Sequence, residues 1–186
     1  LSYFGQLFRF GFFGIYKSFG VDEIFFPKID KIIKKKSEIF FNLIYKKIKN
    51  KKDILKIKAD KILIGDLIYD SYLTRNRKQK PTIDINSQDF KEFLMDFILL
   101  FYSWKKFFSN NDVKVIASSH SCYTMGIPVR LALKNKILAL EVKENRLKKF
   151  NFLDHSHYSE TKHYPKIFKK FTLKEKNLFL NLADNK

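Results

Sequence analysis

Three runs decide the fold of this chain: Val113-Lys114-Val115-Ile116-Ala117, then Ile127-Pro128-Val129-Arg130-Leu131-Ala132-Leu133-Lys134, then Ile137-Leu138-Ala139-Leu140-Glu141-Val142. The first and third are short, apolar and rich in β-branched residues, which predicts strands. The middle run predicts a helix from about Ile127 to Lys134, with Pro128 tolerated in its first turn and Asn135 closing it in a left-handed conformation. Ser118 to Thr124 is a polar loop between them. Strand, loop, short helix and strand in roughly 30 residues make a βαβ unit, and that implies a parallel sheet. The expected fold class is α/β: a Rossmann-like parallel sheet flanked by helices.

Working upstream, Ser87 to Phe108 predicts the clearest helix. Ser87 can cap it, with Asp89 in its first turn. Phe90, Phe93, Leu94, Phe97, Ile98, Phe101, Trp104, Phe107 and Phe108 recur at steps of three and four, one broad apolar stripe for a core. Asn110-Asn111 would end it in a turn. Pro81-Thr82-Ile83-Asp84 reads as extended. Lys61-Ile62-Leu63-Ile64 reads as a short buried strand ending at Gly65. Asp30 to Lys52 predicts one amphipathic helix carrying Ile32, Ile33, Ile39, Phe40, Leu43, Ile44 and Ile48, with its lysines on the wet face. Those lysines are either a solvated face or a contact for anionic headgroups. Residues 1–20 are aromatic and Gly-rich, and read as core packing ahead of a membrane-interface segment. Downstream of Lys143 the pattern weakens, until Thr172 can cap a last helix with Leu173, Leu178, Leu180 and Leu182. The expected organisation is a domain over 1–150, with 151–186 as a tail or the start of a link to a further domain. The chain begins with Leu1 and closes on no terminating feature, so it is expected to be a fragment of a longer product.

The net charge is +18 over 186 residues. A polyanion partner is the obvious reading. Yet 32 lysines stand against five arginines, beside 20 isoleucines, 12 asparagines and 21 phenylalanines, a composition that an AT-rich genome writes by codon bias. Direct base readout leans on the bidentate guanidinium fork, so nucleic acid ranks behind codon bias and behind an anionic membrane surface. A single cysteine, Cys122, excludes a disulfide scaffold and a cysteine-based zinc site and fits a reducing compartment. No signal peptide and no run of about 18 uncharged apolar residues is present, so the expected place is the cytoplasm, with peripheral attachment at the inner membrane face as an alternative.

In a parallel α/β sheet, ligands bind beyond the carboxyl ends of the strands. Two segments fall there: Gly65-Asp66-Leu67-Ile68-Tyr69-Asp70-Ser71-Tyr72 and Ser118 to Gly126. His120 directly follows a predicted buried strand and can exchange a proton near neutral pH; the alternative is a histidine satisfied by backbone. Ser119 adds a hydroxyl, Gly126 would let a ligand approach the backbone, and the helix start with Arg130 would meet an anion. Asp66 and Asp70 are four apart and share a face if the segment is helical. Asp66 is either a base or a brace for the turn after Gly65. Tyr69 and Tyr72 would stack on a sugar or sit half-buried in core. Cys122 near His120 suggests a nucleophile pair, but neighbouring loop positions rarely give that geometry. His155, His157 and His163 have ligand chemistry at a spacing that suits no helical metal pair, so no metal is expected. There is no GxGxxG and no P-loop lysine motif.

Gly65 to Leu73, Pro81-Thr82-Ile83-Asp84, Ser119-His120, Tyr123 and Gly126-Ile127-Pro128-Val129-Arg130 together resemble the N-terminal half of bacterial surface-polysaccharide (capsule and O-antigen) biosynthesis proteins of the two-Rossmann, GT-B glycosyltransferase type, over about residues 15–150. The resemblance implies an enzyme domain that holds a glycan or lipid-linked glycan acceptor. It implies no cofactor in this domain, with the nucleotide-sugar donor at a missing second domain. His120 or Asp66 would be the general base, Tyr69, Asp70, Ser119, Tyr123 and Gly126 would line the cleft, and Arg130 would meet phosphate or acidic sugar. The competing expectation is a non-enzymatic basic module for anionic membrane or nucleic acid.

Overall fold

The computed structural model describes residues 20–75, 82–143, 146–151 and 164–184. The aromatic segment 1–19, Pro81 and the His155, His157 and His163 stretch lie outside the described residues. The elements in chain order are α1 (Lys31–Tyr45), α2 (Lys51–Ile54), β1 (Lys58–Ala59), β2 (Ile62–Leu63), α3 (Gly65–Arg75), α4 (Gln88–Asn110), β3 (Val115–Ser118), a 3-10 turn (Tyr123–Met125), α5 (Gly126–Lys134), β4 (Leu138–Lys143), β5 (Arg146–Lys149), α6 (Tyr164–Lys170) and α7 (Leu173–Asp184).

The βαβ unit forms as its sequence predicts. β3 and β4 pair in parallel, Val115 opposite Leu138 through Ser118 opposite Glu141. The helix between them ends at Lys134, as expected, but the left-handed residue that closes it is one position further on. Asn135 has φ −89°, and Lys136 takes the left-handed conformation at φ 60°. Ile137 N–H then reaches back to the Ala132 carbonyl (2.8 Å) and Lys136 N–H to Leu133 (3.1 Å), a Schellman closure. β4 continues into a hairpin with β5, Leu140 opposite Lys149 and Val142 opposite Leu147, so the sheet is mixed and ordered β3-β4-β5. β5 escapes a sequence reading because Arg146-Leu147-Lys148-Lys149 carries one apolar residue in four.

Lys61 to Ile64 is not a strand of that sheet. β1 and β2 make a separate two-stranded hairpin, with Asp60 and Lys61 both at positive φ, 50° and 68°. That is a type I′ turn, which usually announces itself by Asn-Gly or Asp-Gly. Asp-Lys does not, and the hairpin is therefore invisible in the sequence. The amide groups of Ile64 and Gly65 both bond the Ile57 carbonyl, turning the chain into α3. The segment read as a strand-end loop, Gly65 to Tyr72, is thus a helix.

The helix expected over Asp30–Lys52 breaks in two. Asp30 caps α1 by accepting from Ile33 N–H at 2.8 Å. After Tyr45 the bonds tighten to the third residue back, Lys47 to Ile44 and Ile48 to Tyr45. Asn50 and Asp53 then exchange side-chain bonds as a capping box that starts α2. At the other end, Thr172 and Glu175 make the same device before α7, as Thr172 predicts.

α4 organises the core. Ser87 Oγ accepts from Phe90 N–H, and Phe90, Phe93, Leu94, Phe97, Ile98, Phe101 and Phe108 are buried along one stripe. Each fully buried Phe or Leu stabilises the fold by about 1.5–3 kcal/mol. α1 packs on this helix, and α5 packs on it and on β3 and β4. Tyr72 ties α3 to the first turn of α4 through a 2.8 Å bond to Asp89. Among the described residues, no helix is long and apolar enough to cross a membrane.

Candidate functional site

β3 ends at Ser118, whose hydroxyl donates to the His120 carbonyl at 2.6 Å. That short-range bond folds the loop over exposed Ser119 and leaves His120 half-buried. His120 Nδ1 stands 3.2 Å from Cys122 Sγ. Neighbouring loop positions rarely bring two such groups together, but here the loop doubles back between them and does so. Tyr123 follows at φ 54°, a conformation a bulky residue adopts only when its surroundings hold it there. Its ring meets the imidazole edge-on, centroids 5.9 Å apart.

Helix α3 backs this loop and packs on the 3-10 turn. Gly126 makes the fit. A Cβ there would lie 2.4 Å from the Ser121 carbonyl oxygen and 2.6 Å from Leu67 Cδ2. The glycine answers a close approach within the chain, not one by a ligand.

Arg130 and Asp66 find each other across 64 residues of chain. Arg130 Nη1 donates to Asp66 Oδ1 at 2.6 Å and to the Leu63 carbonyl, and Nη2 donates to Asp66 Oδ2. The guanidinium is 4% exposed and its Nε has no partner. This fork pair joins α3, β2 and α5. It places Arg130 inside the fold, on a carboxylate of its own chain. Burial pushes the Asp66 carboxyl up, but the Arg130 bonds and charge, with backbone N–H donors of Leu67 and Asp66, outweigh it and hold the group below its ordinary value.

One turn on, Asp70 is shifted the other way: burial raises it, and the Asp66 charge adds to the effect. Burial also raises the Cys122 thiol, and the charges of Asp70 and Glu141 push it further. Glu141, 4% exposed on β4, is a member of this neighbourhood that the sequence reading passed over. Its signal was an acid inside the apolar run Ile137 to Val142. Tyr69 and Tyr72 pack in the core, Tyr72 fully and Tyr69 partly.

A thiol held protonated is a poor nucleophile. Cys122 is expected to react with iodoacetamide at neutral pH several-fold more slowly than a free cysteine, the rate rising only above the ordinary thiol range. Alkylation followed by mass spectrometry over a pH series checks this, and a rate equal to free cysteine at neutral pH would refute it. The thiol instead fixes one imidazole nitrogen. With Nδ1–H directed at sulfur, Nε2 is an acceptor; with S–H directed at Nδ1, Nε2 is a donor. Either way, Nε2 is the nitrogen not engaged by the thiol. Among the described residues, no group of three or more such side chains is placed to hold a metal ion. No protein-family model, curated protein or solved structure matches this chain.

Proposed function

We propose that this is the acceptor-side, Rossmann-like domain of a GT-B glycosyltransferase in bacterial surface-polysaccharide synthesis, with His120 as general base. The observation that carries the reading is the position of His120: past the carboxyl end of a parallel strand, held by Cys122 and edged by Tyr123. Open α/β sheets take ligands at that end. With Nδ1–H directed at the Cys122 sulfur, Nε2 of His120 takes the proton of an acceptor hydroxyl as the oxygen attacks the anomeric carbon and the nucleotide departs with the bonding pair. Tyr123 offers a ring face or edge to a sugar. Asp70, one turn along α3 from Asp66, can accept a hydrogen bond from a sugar hydroxyl. Asp66 takes no proton in this scheme. Its role, with Arg130, is to hold α3 against α5, so that Asp70 and the His120 loop keep their spacing. The nucleotide-sugar belongs to a second domain.

His120→Ala in the gene as the genome carries it is expected to lower transfer by about 10²–10⁴-fold, the range of a general base. Surface glycan should disappear while the protein still accumulates and folds. Normal glycan on cells that make the variant would remove His120 from the base role. A circular dichroism spectrum like that of the parent separates lost chemistry from lost fold.

A further inference from the structure

Helix α1 carries more apolar surface than its packing uses. The row that meets the core is Ile33, Ser37 and Ile44, all buried. A second row, Ile32, Ile39 and Leu43, runs at steps of seven and four, so it keeps to one side of the helix, about 120° from the first. These side chains are 65%, 61% and 54% exposed. Exposed Lys35, Lys36, Lys46 and Lys47 frame them. Between this row and the segment from Asp53 to Lys58 lies a groove of about 340 Å³, floored by Phe40, Ile44 and Ile57 and rimmed by Lys47, Lys56 and Lys58. The one acid on that rim, Asp53, turns its carboxylate to the Lys49 and Asn50 amides, both at 3.1 Å.

We propose that this face of α1, with its groove, docks on an anionic lipid bilayer, the three aliphatic side chains entering the headgroup boundary and the lysines meeting lipid phosphates. Charge decides the occupant. A second copy of the chain would bring two lysine frames face to face, and like charges oppose such a seam. A nucleic acid would satisfy the lysines but has no place for three exposed aliphatic side chains. An interfacial helix uses both at once: apolar area for insertion and cations for anionic headgroups. The proposal stands apart from glycosyl transfer and does not use His120.

The test is co-sedimentation of the whole chain with vesicles of phosphatidylcholine, alone or with roughly a third phosphatidylglycerol. The parent should pellet with the anionic vesicles only, and Ile32→Ser/Ile39→Ser should lower its partition by about tenfold or more. Both sites are exposed, so an unchanged circular dichroism spectrum is expected and confirms that the variant is folded. Equal partition of parent and variant would overturn the proposal, since charge alone would then explain binding. So would equal binding to neutral vesicles, or release by inorganic phosphate at the lipid-phosphate concentration. A dimer in the absence of lipid that the serine variant dissociates would assign the face to a second copy instead. Duplex DNA binding with the same loss in the variant would assign it to nucleic acid. His120→Ala should pellet like the parent, which keeps this result separate from any failure of the catalytic reading.

Discussion

Gly65→Ala is expected to destabilise the domain by more than about 4 kcal/mol, a size reserved for steric or buried-charge faults. Gly65 opens α3 where the chain leaves the β1–β2 hairpin. A Cβ on it would lie 2.0 Å from the Ile54 carbonyl oxygen and 2.7 Å from the Leu55 carbonyl carbon. Both are backbone atoms, so no side-chain rotation relieves the clash. α2 and α3 would have to part, and buried Ile54, Leu67 and Ile68 would lose their packing. Denaturant titration of parent and variant gives the difference directly. Gly20→Ala is the control: it has open space around it and only a positive φ of 79°, so it should cost about 1–2 kcal/mol. Equal, small effects at the two glycines would show that α3 does not sit against α2.

The second large effect belongs to the Asp66–Arg130 fork. Asp66→Ala leaves a guanidinium that is 4% exposed without its counter-charge. Breaking one side of a fully buried pair costs about 3–5 kcal/mol; Asp66 is 33% exposed, so water screens the fork and about 2–3 kcal/mol is expected here. Replacing both partners, Asp66→Leu with Arg130→Met, should restore most of the loss, since a well-packed apolar pair substitutes for a buried ion pair at little cost. Thermal unfolding of Asp66→Leu, Arg130→Met and the double variant measures this cycle. Additive losses in the double variant would mean the two residues do not act as a pair.

The pair also sets an acid dependence. Asp66 has a folded-state value below its ordinary one, so its contribution is full above the ordinary carboxylate value and is lost as pH falls through the lowered one. Asp70 works in the opposite sense. Its folded-state value is raised, so its share is present at low pH and fades as pH rises through that value. Acid unfolding should therefore be shallower in Asp66→Leu/Arg130→Met than in the parent.

Much of the architecture was legible because its causes are local. The α4 stripe from Phe90 to Phe108 is a period of three and four that needs no partner to be read. Ser87 and Thr172 cap their helices through bonds to residues three positions on. The βαβ unit follows from run length and β-branching in Val113 to Val142. The misreadings share a different cause. Asp60-Lys61 enters an I′ turn without the residues that favour one, so a hairpin passed for a parallel strand. Lys136, not Asn135, takes the left-handed position, although asparagine is the residue type that more often adopts it.

The candidate site divides in the same way. The sequence by itself placed His120, Cys122 and Tyr123 on one loop at the end of a strand, and placed Asp66 and Asp70 four positions apart, on one face only if the segment is helical. Tertiary structure alone decided what each is free to do. It brought Arg130 onto Asp66, closed Cys122 onto His120 and set buried Glu141 within reach of the thiol by its charge. It also decided that only one of the two apolar rows on α1 is covered. The physical reason is range. Helix period, caps and β-branching act over a few residues and are written in order along the chain. The pairing of a buried charge and the covering of an apolar face depend on which distant segment arrives there, and on the cost of leaving either without a partner.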